Sequence, residues 1–106
     1  MIRPAPLALA AALALSACAP MMRDDTSVRA FRSNEVYGGD ALLYLFVFNP
    51  ERPRALSERK RLARAHVRGM PGCSWVDAPD DVLASETAQQ GARYTETLLV
   101  APVRCS

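Results

Sequence analysis

The sequence predicts an α+β fold: a small antiparallel sheet of three to four strands, one packed basic amphipathic helix and one disulfide. Three observations point there. The eight-residue apolar run Ala41–Phe48, rich in aromatics and bounded by Gly-Gly-Asp and Asn-Pro, suits a strand better than a helix. Leu56, Ala63, Val67 and Met70 recur at spacings of seven, four and three, which is one stripe of a 3.6-residue period. Two short segments near Trp75 and Leu98 carry Cys73 and Cys105 at ends that antiparallel pairing would bring together.

Residues 28–37 open the domain with a mixed pattern whose apolar points are Val28, Phe31, Val36 and Tyr37, and read as an edge strand. Gly38-Gly39 then allows a two-residue turn at positive φ. Residues 41–48 are apolar on both faces, so this strand is expected to be central. It should be covered on both sides, or covered on one and meeting a partner on the other. Two prolines make residues 49–53 a loop. A helix is predicted over 54–68, with Ala55, Leu62 and His66 bordering its apolar stripe and Arg61, Arg64 and Arg68 on the other side. Basic residues in its last turns complement the negative end of the helix. Gly69 is placed for a left-handed stop, and Pro71 prevents continuation.

Residues 73–77 read as a short strand. Pro79-Asp80-Asp81 looks like a helix start, giving a short helix over 82–90 with Gly91 as its stop. A last strand is predicted over Tyr94–Val100, with Pro102 permitting continuation only at an edge or a bulge.

Ahead of this domain, Met1-Ile2-Arg3 gives a short basic start, and residues 4–17 are mostly Ala and Leu. That is the layout of a secretory signal, and it falls short of the roughly 20 apolar residues a membrane span needs. Its end, Leu15-Ser16-Ala17-Cys18, resembles the lipobox of bacterial lipoproteins. The resemblance covers the first 18 residues and implies a diacylglycerol on the Cys18 thiol, cleavage before it and acylation of the new amino group. It divides the chain into a cleaved signal (1–17), a lipidated cysteine with a flexible tether (18–27) and one periplasm-facing domain (28–106). Two or three acyl chains, at about 0.8 kcal/mol per buried CH₂, hold a protein almost irreversibly. By the same resemblance, Ala19 in place of Asp after the modified cysteine favours the outer membrane. The covalent lipid is the one non-protein group expected, and no cofactor is implied.

With Cys18 assigned to the lipid, Cys73 and Cys105 remain as an even pair in an oxidising compartment. A domain this small needs a staple, so a disulfide is expected. The pair stands 32 positions apart, a loop whose closure contributes about 3–4 kcal/mol. No Cys-x-x-Cys occurs, and His66 with two distant thiols makes a poor zinc set, so no metal site is expected.

The chain has 13 basic and 11 acidic side chains, a formal charge of +2. With Arg3 expected to leave with the signal, a balance near +1 argues against a general nucleic-acid binder. The excess of Arg (12) over Lys (1), with 18 Ala, reads as coding bias and not as chemistry. The distribution is less even than the total. Arg52, Arg54, Arg59, Lys60, Arg61, Arg64 and Arg68 cluster, while Asp77, Asp80, Asp81, Glu86 and Glu96 follow.

Catalytic motifs are missing: there is no Gly-x-Ser-x-Gly, no phosphate loop and no His-Glu-x-x-His. The single histidine, His66, reads as a partly exposed residue at the helix border. Tether and helix-start roles explain Asp24-Asp25 and Asp80-Asp81 better than a carboxylate dyad does.

The expectation is therefore a non-catalytic envelope accessory. Arg59, Arg61, Arg64 and Arg68 are its candidate contacts to an envelope protein partner. The alternative is a binder of anionic envelope polymers, lipopolysaccharide or peptidoglycan, through the same helix. A plain solvated helix face stays open beside both, as does a hydrolase inhibitor or an enzyme of unrecognised type. Trp75 is expected either to pack over the disulfide or to face a partner.

Overall fold

A computed structural model describes residues 26–106. The signal layout, the Cys18 lipidation and most of the tether therefore lie outside the described residues. The elements run β1 (Arg29–Tyr37), β2 (Ala41–Val47), α1 (Leu56–Arg68), β3 (Cys73–Trp75), α2 (Asp80–Gly91), a 3₁₀ turn (Ala92–Tyr94) and β4 (Leu98–Cys105). All strand pairs are antiparallel, in the order β1-β2-β4-β3. The α+β class and the four-stranded sheet hold, and the short second helix expected over 82–90 is present as α2, two residues longer at its start.

The core follows from strand alternation. Tyr44 lies opposite Ala101 and Phe46 opposite Leu99, so these side chains share one face of β2 and β4. Leu62, Ala63 and Val67 of α1 lie in the same buried cluster, together with Phe48, Val103 and Leu83 of α2. Each large side chain buried there contributes about 1.5–3 kcal/mol, which makes this cluster the main favourable term in a domain of this size.

The helix α2 serves the sheet edge. β3 spans only three residues and pairs with Val103 to Cys105, leaving the first half of β4 without a strand on that side. Thr87 fills the gap. Its Oγ1 accepts the Val100 N–H at 2.9 Å and donates to the Leu83 carbonyl at 2.7 Å.

Several boundaries differ from expectation, each for a local reason. The β1–β2 connection takes three residues, because Tyr37 pairs with Ala41, and Gly38 and Gly39 do adopt positive φ (62° and 103°). β1 is the expected edge strand, broken between Arg32 and Val36, where the Ser33 hydroxyl donates to the Leu43 carbonyl at 2.6 Å. α1 starts at Leu56 and not at Arg54, because Ala55 is extended (ψ 157°). Gly69 is not left-handed (φ −88°). The helix closes instead through the Gly69 and Met70 N–H groups, which donate to His66 and Val67 carbonyls three residues back.

The last strand lies four residues later than predicted, since Tyr94 sits in the 3₁₀ turn and its carbonyl accepts the Thr97 N–H. Pro102 is buried in this central strand, contrary to the expectation of an edge or bulge. The Val76 N–H donates to its carbonyl at 3.2 Å, so the backbone of Pro102 faces the β3 side. Its missing N–H falls where β3 has already ended, and the β2 ladder loses nothing. Cys73 and Cys105 are directly opposed in register and joined by the disulfide, with Cα atoms 3.9 Å apart.

Candidate binding face

The cationic cluster does not act as one surface. Helical periodicity puts Arg59 three and four positions before Leu62 and Ala63, on the buried stripe. It is only 7 % exposed. Its Nε donates to the Arg54 carbonyl at 3.1 Å, and its Nη1 donates to the Leu98 carbonyl at 2.6 Å. Burial lowers the pKa of this guanidinium below its ordinary value, and the negative charge of Glu96 opposes that shift. As a proposed contact residue Arg59 is therefore corrected: it is a strut between α1, the loop before it and the start of β4. The signal was present in the sequence, since 59, 62, 63 and 67 form a single i, i+3, i+4, i+8 stripe. Reading arginine as a surface residue by type obscured it.

Arg54 is also buried, and its Nε lies 3.4 Å from a Glu58 carboxylate oxygen. Lys60 donates to Asp80 at 2.7 Å, which ties α1 to the start of α2. Arg61 is well exposed and leans on Glu58 at 3.7 Å, a surface pair of little energetic weight.

Arg64 and Arg68 differ from all of these. Both are exposed, and neither meets a carboxylate among the described residues. The Arg64 guanidinium lies over the Trp75 ring, 5.9 Å from its centroid, within cation–π range. Trp75 is half-buried and packs against Phe46 at 6.2 Å between ring centroids. The polar contact to the disulfide comes instead from Tyr44, whose hydroxyl lies 3.3 Å from Cys105 Sγ.

Arg64, Val67, Arg68, Cys73, Ser74 and Trp75 together line a groove of about 260 Å³ between α1 and β3. A broader, open face on α1 carries Lys60, Arg61, Arg64 and Arg68. His66 is half-buried and meets Phe46 edge-on at 6.4 Å. No group of His, Cys, Asp and Glu among the described residues is arranged to hold a metal ion. What the face offers is positive charge, an aromatic plate and a strand edge.

No family model matches the chain, and no curated protein or solved structure matches it.

Proposed function

We propose that the chain is an outer-membrane lipoprotein, anchored through Cys18 and facing the periplasm, whose domain is a non-catalytic interaction module for another envelope protein. The observation that carries the contact face is the unneutralised pair Arg64 and Arg68 beside Trp75, on a helix whose other cations are buried or ion-paired. Arginine and tryptophan are the residue types that most often anchor protein interfaces. The anchor rests on Leu15-Ser16-Ala17-Cys18.

A second reading, an anionic envelope polymer as ligand, draws on the open row Lys60, Arg61, Arg64 and Arg68. Phosphate-rich polymers bind through screened charge, so that reading requires steep loss of binding with added salt.

The test is crosslinking in intact cells, comparing wild type with a chain carrying Arg61→Glu, Arg64→Glu and Arg68→Glu. One dominant envelope protein, lost in the variant, is the expected result. Crosslinks unchanged by the reversal remove the helix face from the reading.

A further inference from the structure

Resting on that reading and narrowing it, we propose that the groove between α1 and β3 takes an extended acidic segment of the partner protein. The segment's backbone pairs with the open edge of β3, and its carboxylates meet Arg64 and Arg68.

The strand edge comes first. The Val76 N–H donates to Pro102 O, so Val76/Pro102 and, two residues back, Ser74/Arg104 face each other with their hydrogen-bonding groups. Cys73 and Trp75 therefore turn theirs away from β4. The Cys73 N–H is taken by the Met70 carbonyl at 3.2 Å. The N–H and C=O of Trp75 are left on the outer side of an edge strand, where an added strand finds both a donor and an acceptor.

Charge selects the occupant. Arg64 and Arg68 line this same groove and meet no carboxylate within the described domain. Four helical residues advance about 6 Å along the axis. Alternate residues of a strand advance about 6.7 Å and project to the same side. Carboxylates at every second position of an extended chain therefore repeat at nearly the same interval as positions 64 and 68 along the helix axis. Val67, Cys73 and Trp75 give the groove an apolar lining against which the stems of those side chains pack. A polyphosphate or polysaccharide would satisfy the arginines but carries no peptide ladder for the Trp75 edge. That difference favours a peptide.

The experiment uses the full chain in detergent and three probes: a short capped peptide alternating glutamate with valine, the same peptide N-methylated at alternate residues, and purified lipopolysaccharide. Trp75 is the only tryptophan, so its emission reports occupancy directly. The expected result is saturable binding of the unmodified peptide with a shift in Trp75 emission. N-methylation should weaken binding at least tenfold, as should the pair Arg64→Gln and Arg68→Gln. Both arginines are exposed, so unchanged melting of that variant is the folding control. Because the N-methylated probe is tested on the wild-type chain, a misfolded variant cannot rescue the proposal.

Equal affinity for the N-methylated peptide overturns it, as does a Trp75 response to lipopolysaccharide alone. If the peptide fails while arginine-dependent crosslinks persist in cells, the groove falls and the envelope-module reading stands. If both fail, both fall.

Discussion

Arg59 Nη1, in the second turn of α1, donates to the carbonyl of Leu98, the first residue of β4, at 2.6 Å. Together with the bond from its Nε to Arg54, this makes a buried cation the tie between helix, loop and sheet. Hydrogen bonds from charged groups contribute about 1.5–3 kcal/mol, and orphaning a buried carbonyl costs about 1–3 kcal/mol. Arg59→Leu is therefore expected to lose about 2–3 kcal/mol and, for a domain of this size, roughly 10–20 °C in Tm. Arg61→Gln, on the exposed face, should change stability by less than about 0.5 kcal/mol. Paired thermal melts check both, and equal stability of the two variants would contradict the strut.

Thr87 does a strand's work at the open half of β4. Thr87→Val keeps the shape but leaves the buried Val100 N–H without an acceptor. A loss of about 1–3 kcal/mol is expected, with Thr87→Ser largely spared. Amide hydrogen exchange gives a site-specific check: the Val100 N–H should be protected in wild type and in the serine variant, and exchange faster in the valine variant.

The disulfide joins the two ends of the β3–β4 pair. Reduction is expected to lower unfolding free energy by about 3–4 kcal/mol, read from the denaturation midpoint with and without reductant. Alkylation of the native, unreduced protein should leave Cys73 and Cys105 unmodified. Free thiols at both positions would show that the staple does not form.

If Cys18 carries the anchor, Cys18→Ala should shift the chain from the membrane fraction to the soluble fraction, or stall its processing. Retention of the processed variant in the membrane fraction would remove the lipid from the account. Among the described residues no helix is long and apolar enough to cross a membrane.

Much of the fold was legible because its elements are marked locally. Residues 41–48 are apolar without interruption, Gly38-Gly39 marks the hairpin, and Pro71 follows a clear helical stripe. The disulfide was legible as well, because cysteine count, domain size and strand direction agree. The candidate site was legible only in part. The clustering of arginines in residues 52–68 announced a basic helix, but charge type alone does not separate a strut from a contact. Arg59 and Arg64 differ by five positions, which turns a helix through about 500° and places them on different sides. One side faces Leu98, and the other faces Trp75 and solvent.

By itself the sequence determined the elements, their order, the α+β class, the pair of cysteines and the lipobox-like stretch, because these depend on near-neighbour patterns of polarity and backbone freedom. Tertiary structure alone decided which carbonyls Arg59 reaches and that Arg64 comes to lie over Trp75. It also decided why Pro102 is tolerated in a central strand, and that Thr87 completes the edge of β4. The Arg59 strut and the Thr87 bridge turn on partners farther along the chain, 39 residues away for Arg59 and Leu98 and 13 for Thr87 and Val100. Only packing α1 and α2 against the sheet brings such groups within hydrogen-bonding distance.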